Sequence, residues 1–176
     1  MRIIAGSLKG RNFDTPSGHH THPMGDKVKG ALFNVLGDIE GLTVLDAFAG
    51  SGALSFEAIS RGAKSVVAID LDLEAYKTIV RNVEKLKLGN QVTVLRKNTN
   101  GWARNTQHRF DLVIADPPYD DFRPTLLQRL VLLVEQNGTF VLSWPNDERP
   151  REFEGVSFLT AKHYAGAQLV FYRRTG

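Results

Sequence analysis

The run Leu42 to Phe48 leads through Ala49-Gly-Ser-Gly52 straight into a helical stretch, and the next apolar strand, Ser65 to Ile69, ends at Asp70. Strand, tight turn, helix and strand with connections this short fold as a parallel βαβ unit, which places helices against a sheet and limits the topologies open to the rest. The alternation continues. Asp72 is suited to cap a helix through Tyr76, Val80, Val83 and Leu86 that closes at Lys85, Lys87 and Gly89. Val92 to Leu95 and Phe110 to Ala115 read as strands three and four, Arg123 to Val134 as a helix and Thr139 to Ser143 as strand five. Val156 to Thr160 and Gln168 to Tyr172, with Gly166 between them, form an antiparallel hairpin at one edge. The expected fold is therefore α/β and Rossmann-like: a doubly wound, seven-stranded, mostly parallel sheet with a C-terminal antiparallel hairpin.

Residues 1–40 form a small extension ahead of the body, 41–176. Arg2 to Ala5 and Arg11 to Phe13 suit a short hairpin. From Asp26, the apolar residues Val28, Ala31, Leu32, Val35 and Leu36 recur at helical spacing before Gly37. Net charge is only +3, but residues 1–30 hold five basic groups against two acids, and residues 161–176 hold three basic groups and no acid. The middle of the chain is therefore net negative. The ends are candidates for a polyanion, with Lys9, Arg11, Lys27 and Lys29 as its candidate contacts. No cysteine is present, which excludes disulfides and thiolate chemistry. No apolar run approaches the ~20 residues of a membrane span, so a cytoplasmic protein, taken as a monomer, is expected.

The glycine turn points to a cofactor. Glycines at Gly50 and Gly52 let backbone approach a ligand, and Asp70, twenty residues after Gly50, ends the next strand where a carboxylate can accept from both hydroxyls of a ribose. Ser55 stands where a dinucleotide fingerprint wants a third glycine, and Asp46 ahead of the turn repels pyrophosphate but suits a cationic amino group. This favours S-adenosylmethionine over NAD. Asp46, Phe48, Ala49, Gly50, Ser51, Gly52, Asp70, Leu71, Asn98 and Thr99 are the expected cofactor residues.

At the carboxyl end of the fourth strand stands Asp116-Pro-Pro-Tyr119, where ligands of open parallel sheets bind, and the glycine turn should flank the same crevice. The exocyclic amine of a nucleobase is a poor nucleophile because its lone pair is delocalised into the ring. The Asp116 carboxylate and the Pro117 carbonyl can accept its hydrogens and bias it toward attack on a methyl sulfonium. Pro117 and Pro118 stiffen the loop and remove two N–H donors, and Tyr119 offers a face on which a flipped-out base can stack. Asp116, Pro117, Pro118 and Tyr119 are the candidate catalytic set. Trp102 and Trp144 read as packing residues.

Asp46-x-Phe-x-Gly-x-Gly52 together with Asp116-Pro-Pro-Tyr119 resembles the amino-methyltransferases. More narrowly, Met1-Arg-Ile-Ile-Ala-Gly, Gly10-Arg11, Asp26-x-Val-x-x-Ala-Leu-Phe-Asn34, Leu45 to Leu54 and Tyr172-Arg-Arg174 are similar to the RsmD family across essentially the whole chain. The resemblance implies methyl transfer from S-adenosyl-L-methionine, leaving S-adenosyl-L-homocysteine, to N2 of a guanine in 16S rRNA of the small ribosomal subunit. The chain departs from the family pattern at His22-Pro-Met-Gly25 and at Asn98, where an aspartate is usual. His19, His20 and His22 lack the spacing and carboxylates of a metal site, and none is expected. Rival readings are a DNA adenine-N6 methyltransferase, which usually carries a target-recognition domain that this chain has little room for, and an RNA-assembly protein on an inactive scaffold, which would not need both motifs intact. A nicotinamide dehydrogenase leaves Asp116-Pro-Pro-Tyr119 unexplained.

Overall fold

The computed structural model describes residues 1–18, 24–118 and 123–176. The chain forms two compact units, Met1–Asn98 and Thr99–Gly176, and its seven strands make a mixed α/β sheet. In the first unit, β1 (Thr43–Asp46), β2 (Ser65–Asp70) and β3 (Val92–Arg96) are all parallel, in the order β3-β2-β1. Thr43 pairs with Ser65, and Asp70 with Arg96, so Asp46 and Asp70 both stand at carboxyl ends.

The helices of this unit are α1 (Asp26–Leu36), α2 (Ala53–Ser60) and α3 (Leu73–Lys85). As expected, Asp72 caps α3, its side chain accepting from Ala75 N–H at 2.8 Å. The far end differs from expectation. Lys87, not Gly89, takes the left-handed conformation (φ 58°), and Leu88 N–H donates to the Val83 carbonyl at 2.9 Å, closing the helix two residues early.

All eight residues of α2 are buried, including Ser55, Glu57 and Ser60. An ordinary helix on a sheet exposes one face; here the N-terminal extension covers it. Ile4 and Ala5 N–H groups donate to the two oxygens of Glu57 at 3.0 and 3.1 Å, and Leu8 N–H donates to Ser60 Oγ at 2.9 Å. Gly6, at φ 84°, lies so close that a Cβ there would meet the Ser60 carbonyl oxygen at 1.8 Å. The expected hairpin is present in a short form: Ile3 N–H donates to the Arg11 carbonyl and Phe13 N–H to the Met1 carbonyl, both at 3.0 Å, about an antiparallel bridge between Arg2 and Asn12, and it goes no further because the N–H groups of Ile4, Ala5 and Leu8 bond to α2. Phe13 packs edge-on against Phe56 of α2, ring centres 5.2 Å apart.

The second unit holds α4 (Thr99–Asn105), β4 (Phe110–Ala115), α5 (Pro124–Leu132), β5 (Val134–Trp144), β6 (Val156–Tyr164) and β7 (Ala167–Arg174), with strands in the order β4-β5-β7-β6. β4 and β5 are parallel, and β7 is antiparallel to both β5 and β6, which is the expected edge hairpin, lengthened. α4 takes in Asn100 and Gly101 near its start; Asn and Gly are poor helix formers, and the packing of α4 against α5 overrides that preference. β5 starts five residues before the expected Thr139. Asn137 (φ 64°) and Gly138 make the irregularity that lets it do so, and a Cβ on Gly138 would meet the Asp111 carbonyl at 2.7 Å.

Candidate active site

The glycine turn is built from the first unit alone. Ala49 N–H donates to the Ile69 carbonyl at 2.9 Å, and Gly50 N–H donates to Asp70 Oδ2 at 2.8 Å. The other carboxylate oxygen of Asp70 accepts from Asp72 N–H at 2.9 Å. Asp70 thus ties the end of β2 to the turn and to the start of α3, and each oxygen keeps a further acceptor site for a ligand hydroxyl. Leu71 beside it is 57% exposed, an unusual apolar surface at a strand end.

Gly50 and Gly52 both have positive φ, 55° and 82°. At Gly52 the requirement is internal: a Cβ would lie 2.8 Å from the Phe56 ring. Asp46 is buried, and its Oδ2 accepts from Ser55 Oγ at 2.7 Å. The role of Ser55 is not legible in the sequence, where it stands only in place of a third glycine; in the fold its hydroxyl, in the first turn of α2, orients the carboxylate. Phe48 is half-buried, while Ala49 and Ser51 are buried. Asn98 is exposed at the end of the first unit, and Thr99 is buried at the start of α4.

In the second unit, Asp116 follows β4 directly and is half-buried, with Pro117 buried and Pro118 exposed. Burial pushes the Asp116 carboxyl above the usual carboxylate range, and a hydrogen bond with the Ser143 side chain opposes part of that rise. The pairing of Ala115 with Leu142 brings Ser143 alongside Asp116, a partnership visible only once the register is known. Tyr119 and the histidines at 19, 20 and 22 lie outside the described residues.

Of the candidate RNA contacts, Lys9, Arg11 and Lys27 are exposed, Arg11 Nη2 reaching the Lys85 carbonyl at 3.5 Å. Lys29 must be withdrawn. Its side chain is fully buried, 3.7 Å from Glu57 and 3.8 Å from Asp26, and its Nζ donates to the Arg2 carbonyl at 3.3 Å. No phosphate can reach an ammonium so enclosed; Lys29 neutralises Glu57, which Arg61 also pairs at 3.0 Å. Among the described residues, no helix is long and apolar enough to cross a membrane.

A mixed, mostly parallel sheet with a glycine turn after β1, an acid ending β2 and Asp-Pro-Pro following β4 defines a Rossmann-like class I methyltransferase fold. The chain belongs to the RsmD family: the family model described as Conserved hypothetical protein 95 matches residues 1–173. Ribosomal RNA small subunit methyltransferase D of Escherichia coli (strain K12) is 36% identical over 149 residues, 84% of this chain and 71% of that protein. The protein of the same name from Haemophilus influenzae is 37% identical, covering 78% and 72%. The solved structure of yhhF from Escherichia coli matches with a TM-score of 0.86 at 29% identity, covering 99% of this chain and 98% of that one. HI0767 from Haemophilus influenzae matches at 0.80 and 30%, covering 99% and 98%.

Proposed function

We propose that this protein transfers a methyl group from S-adenosyl-L-methionine to the exocyclic N2 amine of a guanine in small-subunit ribosomal RNA, with S-adenosyl-L-homocysteine as the other product. The substrate class rests on the relatives named ribosomal RNA small subunit methyltransferases, 36% and 37% identical over most of the chain. The single observation that carries the chemistry is Asp116, a carboxylate at the end of β4 with its pKa raised by burial and with a fixed neighbour in Ser143.

The residues present fit the cofactor. Around the turn, Asp46 and Asp70 offer carboxylates, which favours a ligand bearing an ammonium and a ribose and disfavours a pyrophosphate. Asp46, oriented by Ser55, would hold the amino group; Asp70, already bound to the turn, would accept from ribose hydroxyls; Leu71 would cover an apolar face of the base. When bound, the cofactor supplies an electrophilic methyl on a sulfonium.

Asp116 and the Pro117 carbonyl accept the two hydrogens of the amine, which orients its lone pair and lowers the cost of the positive charge that grows on nitrogen. The same carboxylate, made more basic by burial, takes the proton the methylated amine sheds. Pro117 and Pro118 keep competing N–H donors out of this loop. Lys9, Arg11 and Lys27 remain the RNA contacts of the N-terminal section.

The test is a tritiated-methyl assay with small-subunit rRNA from cells lacking the gene, followed by mass mapping of the modified nucleotide. N2-methylguanine at one position is expected. Label on adenine N6, or on DNA in preference to RNA, would reject this reading.

A further inference from the structure

Apart from the residues given roles in transfer, α4, α5 and the segment before β4 enclose a cleft of about 420 Å³ lined by Arg104, His108, Arg109, Arg129 and Leu132 among others. Among the described residues, the lining holds three guanidiniums and an imidazole and no carboxylate. Among the described residues, no acidic group lies within ion-pair distance of Arg104, Arg109 or Arg129.

The walls are fixed. Arg109 Nη1 donates to the Leu132 carbonyl, Arg174 Nη1 donates to the same carbonyl at 2.8 Å, and Arg129 Nη1 donates to Asn100 Oδ1 at 2.5 Å. Each of those guanidiniums uses one or a few of its five N–H donors, so donors remain for a ligand. Like charges gathered around one cleft repel unless an anion joins them, and planar guanidiniums match the paired oxygens of a phosphate better than any other side chain. Arg109 precedes β4 and Asp116 follows it, so the cleft and the reacting carboxylate lie at opposite ends of a six-residue strand, roughly 20 Å apart at ~3.3 Å per residue.

We propose that this cleft binds backbone phosphates of the RNA substrate, a second anchor about 20 Å along β4 from the reacting amine. The proposal rests on the reading of the protein as an RNA methyltransferase. A strand that engages both ends must extend over several nucleotides, so long structured RNA binds better than a short fragment around the target.

The experiment compares the native protein with Arg104→Ala/His108→Ala, which leaves the bonds of Arg109 and Arg129 in place, and with Arg104→Gln alone should the double variant not fold. Filter binding of in vitro transcribed small-subunit rRNA over a range of KCl is measured beside calorimetry with S-adenosylhomocysteine and with inorganic phosphate. The double variant should bind rRNA about five- to tenfold more weakly with a log–log salt slope shallower by about one, while S-adenosylhomocysteine affinity and kcat at saturating rRNA stay the same. Equal rRNA affinity and slope in both proteins overturn the proposal. Phosphate binding lost in the variant without any change toward rRNA also overturns it, in favour of a small free anion. If the variant loses rRNA affinity but the native protein methylates no rRNA, the cleft stands and the methyltransferase reading falls.

Discussion

Asp70 Oδ2 accepts the Gly50 N–H at 2.8 Å, joining the carboxyl end of β2 to the centre of the glycine turn before any ligand is involved. The carboxylate expected to read a ribose is therefore also a structural brace. A single side chain holds the turn in its left-handed geometry and carries the acceptors the cofactor needs, so pre-organisation and recognition fail together if it is removed.

The two roles can be separated by substitution. Asp70→Ala leaves the Gly50 and Asp72 N–H groups without an acceptor and should cost about 1–2 kcal/mol of stability together with at least tenfold in S-adenosylhomocysteine affinity. Asp70→Asn keeps one acceptor oxygen. It should recover up to half of the lost stability and little of the affinity, read by thermal denaturation and titration calorimetry; equal recovery of both would show that the brace is all that matters.

Asp116 should show opposite pH dependences in activity and stability. Its folded-state pKa is raised by burial, so the folded chain holds a proton that the unfolded chain has released, and this contribution to stability is full below the ordinary carboxylate range and is lost as pH rises through the raised value. Methyl transfer needs the ionised form and should rise through that same value. Asp116→Asn is expected to reduce transfer by about 10²–10⁴-fold while leaving the melting temperature equal or higher, and to flatten both acid-side profiles.

Glu57 is the most demanding polar residue of the first unit, fully buried with Lys29, Arg61 and two backbone N–H groups around it. Glu57→Ala leaves the buried Lys29 with only the half-exposed Asp26 at 3.8 Å to balance its charge and two N–H groups without an acceptor, and should cost about 3–5 kcal/mol. Adding Lys29→Met should return a good part of that in chemical denaturation. An additive loss in the double variant would mean the two residues do not act as a pair.

Lys87 sits at φ 58° at the end of α3, where a side chain is strained and its own is exposed. Lys87→Gly should stabilise by about 1 kcal/mol and raise the melting temperature by about 2–4 °C. A lower melting temperature would place the lysine side chain in a role beyond the turn.

Much of this protein was legible from residue order. The βαβ rhythm, the edge hairpin, the Asp72 cap and the positions of Asp46, Asp70 and Asp116 at strand ends all follow from local patterns: apolar period, glycine in a turn, an acid after a strand. The misses have one cause. Ser55, Ser143, Glu57 and Lys29 each have a defining partner nine or more positions away, and residue order alone shows each only as a serine, an acid or a base with its usual surface preference. Lys29 is the sharpest case, read as a phosphate contact because lysines are usually solvated, yet enclosed because Glu57 lies across from it in a space the N-terminal arm seals.

The sequence by itself determined which chemical groups stand at which strand ends, since alternation and turn residues act over a few positions along the chain. Only the tertiary structure decided their electrostatic state and availability. Whether a charge is spent inside the fold or offered to a ligand depends on burial and on partners brought from distant segments, as the buried Lys29, the exposed Lys9 and the desolvated Asp116 show.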